Sequence, residues 1–416
     1  MTRAPGNSKY VRKINRMSVL NIIKEQEPVS RRQLADITGL TPPAITGIIR
    51  EFLEFGLVEE EGLGLSGGGR KPVKLRFNAS AGYVIGVEVT RCESTIGIAD
   101  LKNHPTGIVR VPLDMSDPAI GLPRLLDVLR GMMATGEKEG KNFMGMGIAF
   151  PGLINAAEGI VTRSINLGPA WRNIPLREKL QSLTGLATVI ENNSNASALA
   201  ERWFGGGQDS PDLMYVNLGE GISAGVMLDD RILQGFQGNA GEIGHIVMDE
   251  AGPKCNCGNQ GCLEAICGIP ALLKRAEELA GSCASDDPLR RIHQEKGKIG
   301  LTDLIACALI EDSCAWRMLQ DTGKLVGWAV ADAINLYNPR TIFLGGRLAA
   351  AAPAFIGVLT ATARSHAFPE MSLPAQIRIS SLGNEAGVVG ACALALQTVL
   401  ESFQSPLLSA SATARN

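Results

Sequence analysis

Along the first sixty residues, apolar side chains recur at helical spacing three times. Ile14, Met17, Leu20 and Ile23, widened by Val19 and Ile22, form one stripe and predict an amphipathic helix over residues 12–26. Ser30 and Gln33 have the spacing of a capping box and open a short helix over RRQLADIT, which Gly39 ends. Thr41 is a natural N-cap with Pro42 at the first helical position. Ile45, Ile48, Ile49, Phe52 and Leu53 then give a third helix its buried face before Gly56 stops it. The opposite side of that helix offers Pro43, Ala44, Thr46, Gly47 and Arg50, mostly small or hydroxyl-bearing groups that let a helix backbone sit deep in a major groove. LVEEEGLGLSGGGRKPVKLRFN reads next as two short strands around a glycine-rich tip that carries Arg70 and Lys71.

Helix, helix-turn-helix and β-wing, in that order, predict a DNA-binding head over residues 1–78. Its candidate DNA contacts are Ser30, Arg31 and Arg32 at the start of the second helix, Thr41, Pro43, Ala44, Thr46 and Arg50 on the third, and Arg70 and Lys71 at the wing tip. The basic tip is suited to a minor groove or a phosphate backbone. A three-helix unit alone is more often plain packing, and the charge distribution is what changes that weighting. The chain as a whole carries 40 Lys and Arg against 42 Asp and Glu, a net −2. Residues 1–77 hold 13 basic and 8 acidic groups, net +5, leaving 27 and 34, net −7, for the rest. A basic head on an acidic body predicts that only the head meets a polyanion.

From residue 79 the pattern becomes short β-branched runs separated by glycine turns, the texture of an α/β protein. YVIGVEVTRCESTIGIAD (83–100) reads as strand, turn and strand, and LMYVNLGEGISAGVMLDD (213–230) repeats that layout about 130 residues later, which predicts a duplicated two-lobed body over 79–400 with a cleft between the lobes. MGMGIAFPGLI (144–154) and RTIFLGGRL (340–348) are apolar strands running into glycine turns, where ligands commonly sit. The tail, residues 401–416, is small and polar and is expected to be disordered. No run of about 18 apolar residues appears, and MTRAPGNSKYVRKINR has no signal-peptide core, so a cytoplasmic protein without membrane insertion is expected.

Nine cysteines in 416 residues do not suggest a disulfide scaffold, but Cys255, Cys257 and Cys262 crowd into eight residues and read as metal ligands. Cys92, Cys267, Cys283, Cys307, Cys314 and Cys392 are scattered and are expected to be small core residues.

The body resembles the ROK family of repressors, open reading frames and sugar kinases, over roughly residues 80–398. The resemblance rests on GEIGHIVMDEAGPKCNCGNQGCLEAICG (241–268), FPG (150–152) and ENNSNASALAE (191–201). It implies the actin-like, RNase H-like duplicated fold, and with the winged head in front the chain is similar to the family's branch of sugar regulators. His245 with Cys255, Cys257 and Cys262 is the soft donor set that suits one tetrahedral Zn²⁺, and four ligands with no open position predict a structural site. By resemblance Asn166, Asn192, Glu242, His245 and Glu264 match sugar-contacting positions, and Asn193, at the base position of family kinases, can still hydrogen-bond a sugar. Two carboxylates and an imidazole also suit the vicinal hydroxyls of a monosaccharide on their own chemistry.

Phosphoryl transfer needs a base and phosphate-binding loops. Where family kinases carry an aspartate base, this chain has Asn193, an amide that accepts no proton at neutral pH. Their first phosphate loop, DxGGT, is here Glu88, Val89, Thr90, Arg91 and Cys92, and their second, GTGxGAG, is Gly219, Glu220, Gly221, Ile222, Ser223, Ala224 and Gly225. The expectation is therefore a non-enzymatic repressor that a monosaccharide releases from operator DNA, acting as a homodimer or a dimer of dimers. An ATP-dependent sugar kinase carrying a DNA-binding head is the alternative, and an adaptor that uses the head for protein contacts is a second.

Overall fold

The structure is a computed structural model that describes residues 8–63, 73–102, 104–349 and 353–402. Arg70 and Lys71 at the wing tip, and nearly all of the tail, lie outside the described residues.

The head begins with a helix over Ser8–Gln26, whose Val19, Leu20 and Ile23 are buried. The second helix, Arg31–Thr38, has the capping box its sequence specifies: Ser30 and Gln33 satisfy each other's backbone N–H groups, and Gly39 closes the helix in a left-handed conformation. The third helix, Pro42–Glu54, starts after Thr41, but the Thr41 hydroxyl makes no capping hydrogen bond, and Pro at the first position supplies the start instead. Strands Val58–Leu63 and Val73–Phe77 pair antiparallel, and the two-residue strand Val29–Ser30 adds to the free edge of the second of them.

The body contains two five-stranded mixed sheets of one design. The first uses Tyr83–Val89, Glu93–Asp100, Thr106–Pro112, Phe143–Phe150 and Ala187–Asn192. The second uses Leu213–Leu218, Ile222–Leu228, Arg231–Ile232, Thr341–Gly345 and Gln376–Ile379. In each, the strands taken in chain order lie in the spatial order third, second, first, fourth, fifth, with three antiparallel members followed by two parallel ones. The repeat that the strand-turn-strand pattern predicts is thus present in the backbone topology.

Two helices, Asn193–Phe204 and Ala386–Ser402, pack against each other between the sheets. They are rich in Ala, Ser and Gly because little room separates them: a Cβ on Gly390 would lie 1.9 Å from the Ala196 carbonyl oxygen. Leu396, Val399 and Leu400 of the second helix also share one apolar cluster with Val19, Leu20 and Ile23 of the head, and with Val84 and Leu101 of the first sheet. The head is therefore seated on the body through a continuous core. Among the described residues, no helix is long and apolar enough to cross a membrane.

Of the cysteines read as small core residues, Cys267, Cys307 and Cys392 are buried and free, as expected. Cys92 is exposed, because it occupies the turn between two strands, and Cys283 and Cys314 are joined in a disulfide.

Crowding at the helix crossing has a direct test. Gly390→Val should lower unfolding stability by at least about 2 kcal/mol through overpacking. Gly131→Ala, on an open helix surface with nothing within 4 Å, should be neutral or raise it by up to about 1 kcal/mol. Urea denaturation of the two variants beside the parent chain measures both.

Candidate functional site

The metal-ligand cluster is built by one glycine-rich loop. Met248 and Asp249 donate their N–H groups to the Gly261 carbonyl, Gly261 donates to Pro253, and Cys255 donates to Asn259, folding residues 246–262 back on themselves. Gly261 has φ +73°, and a Cβ there would stand 1.5 Å from the Asp249 carbonyl oxygen, so no other residue fits this turn. The fold places one donor atom each from His245, Cys255, Cys257 and Cys262 within 4.8 Å of one another. Cys255 Sγ is 3.7 Å from His245 Nδ1, and Cys257 Sγ is 3.7 Å from Cys262 Sγ. A zinc tetrahedron with bonds of about 2.3 Å to sulfur and 2.0–2.1 Å to nitrogen has edges of about 3.6–3.8 Å. The four side chains thus fit such an ion in both chemistry and spacing.

With Nδ1 turned to the cysteines, His245 presents Nε2 to the other side, 3.8 Å from Glu242 Oε2. Burial, reinforced by the charge of Glu264, pushes the Glu242 carboxyl up to about 7. Glu264, in the short helix Leu263–Cys267 that follows the last cysteine, accepts the Ile222 N–H at 2.9 Å. A Cβ on Gly221 would lie 2.5 Å from both Asn166 Nδ2 and Glu264 Oε2, so those side chains face each other over a bare stretch of backbone. Asn166, Glu242, His245 and Glu264 are therefore brought to one place.

Asn192 and Asn193 lie at the start of the Asn193–Phe204 helix. Asn192 caps it by accepting the Ser194 N–H at 2.8 Å, and its Nδ2 donates to the Gly152 carbonyl at 3.0 Å. Asn192 thus holds the FPG turn with one amide hydrogen and one lone pair of Oδ1, leaving the second of each. The Asn193 side chain is half-buried at the first helical position and has no hydrogen bond of its own among the described residues. Ser194 Oγ lies 2.6 Å from Ser223 Oγ, tying this helix start to the second lobe.

Three residues that sequence reasoning passed over also shape the cleft. Arg91 donates to the Asn166 and Leu167 carbonyls at 3.1 and 2.9 Å and so fixes the turn that aims Asn166. Glu191 is 3% exposed, and its carboxyl oxygens accept from the Asn192 N–H, Asn195 Nδ2 and Gln234 Nε2 at 2.8–3.1 Å. Arg347 donates to Glu220 at 2.9 Å, so the carboxylate in the second glycine loop is neutralised by the glycine turn facing it. The Arg91 and Arg347 contacts join residues 75 and 127 positions apart, beyond the reach of local spacing.

Glu88 lies in the first of the altered loops, against the start of the last helix: a Cβ on Gly387 would meet its carboxyl at 2.2 Å. Burial, and then the charge of Glu93, raise it to about 7.

On the head, Thr41, Pro43, Ala44, Thr46 and Arg50 are all exposed, while Ile45, Ile48, Ile49 and Phe52 of the same helix are buried. Pro42, Pro43, Thr46, Gly47 and Arg50 line a shallow concavity. Arg32 is exposed, and Arg31 pairs with Glu60 at 2.8 Å. Ser30 departs from its expected role. It is only 5% exposed with its hydroxyl used in the capping box, so it orients the second helix instead of reaching a phosphate.

The family model for the ROK family matches residues 85–398. The chain belongs to the ROK family. It is 30% identical to the xylose repressor of Bacillus spizizenii over 94% of this chain and 97% of that one. It is 28% identical to the DNA-binding transcriptional repressor Mlc of Escherichia coli, over 93% and 94%. Among solved structures, a ROK family transcriptional regulator described as a homolog of the E. coli Mlc protein covers 95% of this chain and 98% of its own, with TM-score 0.83 and 27% identity. A ROK family glucokinase from Streptomyces griseus, in complex with glucose and AMPPNP, covers 76% and 100%, with TM-score 0.67 and 26% identity.

The regulator likeness thus extends through the head, and the kinase likeness leaves about a quarter of this ROK chain uncovered.

The raised Glu88 carboxyl makes a pH prediction. A carboxyl whose folded pKa lies above its unfolded value of 4.5 contributes stability that is full below 4.5 and is lost as pH rises through about 7. Glu88→Gln should remove that decline and gain on the order of 1–2 kcal/mol over the parent at pH 8. Melting temperatures of both proteins from pH 5 to 8 would reveal it, and parallel curves would refute it.

Proposed function

We propose that this chain is a transcriptional repressor in which a winged helix-turn-helix head binds operator DNA and a two-lobed, actin-like body binds a monosaccharide that releases it. The observation that carries this reading is the exposed Pro43–Arg50 face joined, in one chain, to a cleft where Asn166, Glu242, His245 and Glu264 converge. His245, Cys255, Cys257 and Cys262 would hold one Zn²⁺, which when bound supplies a closed structural staple. His245 then keeps its ring oriented and offers Nε2, beside Glu242, to a ligand hydroxyl. Glu264 and Asn166 add an acceptor and an amide on the opposite side.

The same cleft lacks the phosphoryl half of kinase chemistry. At the helix start Asn193 offers an amide in place of a base, so a bound hydroxyl can be hydrogen-bonded but not deprotonated. In the second loop the Glu220 side chain, paired with Arg347, stands where the backbone would have to approach a nucleotide phosphate. One head reads one half-site, so a homodimer or a dimer of dimers is the form that would bind a palindromic operator.

The helix from Asn193 to Phe204 gives the ligand a route to the head. It starts at the pocket, and at its other end Trp203 lies beneath Lys24 of the head, 5.8 Å from ring centroid to ammonium. A sugar that favours one lobe arrangement shifts this helix and with it the seat of the head.

A thermal-shift screen of neutral, amino and 6-phosphorylated monosaccharides should find a stabilising ligand, lost in Glu264→Gln. Duplex binding should weaken when that ligand is added. Arg50→Ala should reduce affinity for a specific operator by about 1–3 kcal/mol and relax its selectivity. Coupled ATP turnover with the same sugars should be absent. Phosphorylation that Asn193→Ala abolishes would establish the kinase instead.

Elemental analysis should return close to one zinc per chain. Cys257→Ser should lose it and lower the melting temperature, and full folding and ligand response without metal would remove the site from this account.

A further inference from the structure

The second lobe also gathers three side chains that the pocket does not use. Cys283 follows the Ile269–Ala280 helix, and Cys314 opens the Cys314–Tyr337 helix, 31 residues later. Their Cα atoms are 6.4 Å apart and their sulfurs are bonded. That separation lies within the span of about 4.4–6.8 Å that a disulfide bridges. Asp287 holds the two ends in place: Oδ1 accepts the Leu289 N–H and Oδ2 accepts the Cys314 N–H, each at 2.8 Å.

Two thiols and a carboxylate within 4.8 Å could also be read as a second metal site. The structure joins the two sulfurs to each other, which leaves no thiolate to hold an ion and makes sulfur–sulfur chemistry the better use of the cluster.

We propose that Cys283 and Cys314 form a reversible thiol–disulfide pair that clamps the helical layer behind the ligand pocket. The Ile269–Ala280 helix continues from the short helix that carries Glu264, and the Cys314–Tyr337 helix packs against both. The crosslink thus ties the far end of the pocket-bearing segment to the longest helix of the lobe among the described residues.

The two sulfurs are not equivalent. Cys283 is 4% exposed, whereas Cys314 is half-buried at the start of a 24-residue helix and is the more accessible of the two. Cys314 is therefore the sulfur that meets a peroxide first. Its thiol takes one oxygen from hydrogen peroxide to give a sulfenic acid and water. The Cys283 thiol then attacks that sulfur, forming the S–S bond and releasing a second water. A dithiol reductant of the thioredoxin type returns two protons and two electrons and is itself left as the disulfide.

The test uses the full-length protein, oxidised with hydrogen peroxide or reduced with dithiothreitol, then denatured with a chelator, alkylated and weighed. The chain has nine cysteines, so the reduced form should take nine alkyl groups and the oxidised form seven, with one Cys283–Cys314 crosslinked peptide on digestion. The oxidised protein should melt about 3–5 °C above the reduced one. Cys283→Ser and Cys314→Ser should each melt with the reduced parent in both conditions. The proposal fails if no such peptide forms, if the crosslink forms without moving the melting temperature, or if the parent carries a second zinc that Cys314→Ser loses.

Discussion

Two helices of small residues, crossing almost in backbone contact between the lobes, set the positions of everything else. Gly390 lies against the Ala196 carbonyl, and Gly147 of the first sheet lies against the carbonyl of Ala391, each so closely that a Cβ would fall 1.9 Å from the oxygen. Close packing of this kind fixes a relative placement, because an interior at crystalline density has few intermediate arrangements. The start of one helix supplies Asn192, Asn193 and Ser194 to the cleft, and its end supplies Trp203 and Phe204 to the seam with the head. The other helix carries Gly387 against Glu88 at one end and Val399 and Leu400 beneath the head at the other. Pocket and head are thereby attached to the same pair of rods.

The helices and the cleft beside them hold several carboxyl groups away from their usual ionisation. Burial raises Glu88, Glu191, Glu201 and Glu242, and in Glu242 the neighbouring Glu264 adds to the effect. A buried carboxyl costs least when neutral or fully hydrogen-bonded, and Glu242 differs in this from Glu191 and Glu201. Glu191 and Glu201 are surrounded by donors: Asn192, Asn195 and Gln234 for the first, Ser380 and Gly206 for the second. Among the described residues Glu242 accepts no hydrogen bond, and His245 Nε2 stands 3.8 Å from it, longer than a hydrogen bond. An incompletely satisfied carboxyl beside an imidazole is what a polyol hydroxyl completes, since each hydroxyl both donates and accepts.

Legibility from the sequence followed the range of the interaction. The Arg31–Thr38 helix could be read with its cap, since Ser30 and Gln33 are three residues apart and the bond between them is local. The gathering of His245 with Cys255, Cys257 and Cys262 is equally readable because its three cysteines fall within one loop that folds on itself. Thr41 has the residue type of a cap without making the bond, which shows that Pro42 alone can start a helix. The Val29–Ser30 strand carries no pattern in two residues and exists only because Val73–Phe77 offers an open edge. Arg91 on Asn166, Arg347 on Glu220 and Cys283 on Cys314 depend on how distant segments meet, and residue type names neither partner in advance. Ser30 and Asn192 are polar residues at suggestive positions that also serve the local fold: each accepts an N–H at a helix start, and Asn192 donates to the Gly152 carbonyl as well.

The seam between head and body decides how much a ligand must do. Only Asn78 to Gly82 separate the last strand of the head from the first strand of the body, and Leu101 donates its N–H to the Ala79 carbonyl within that connection. With so short a link the head cannot reorient freely, and its direction follows the surface beneath it. Around the shared apolar core stands a polar edge in which Glu27 pairs with Lys102, accepts the Phe77 N–H at 2.6 Å, and lies three residues beyond Lys24 on Trp203. Partly exposed ion pairs and cation–π contacts each contribute about 0.5–1 kcal/mol. Coupling free energies between linked sites commonly span about 1–3 kcal/mol. In the proposed repressor, re-registering two or three such contacts is therefore enough to change operator affinity by the factor a switch requires, with the apolar core left intact. A ligand needs only that much differential affinity for one lobe arrangement, which a few hydroxyl hydrogen bonds to Glu242, His245 and Glu264 can supply.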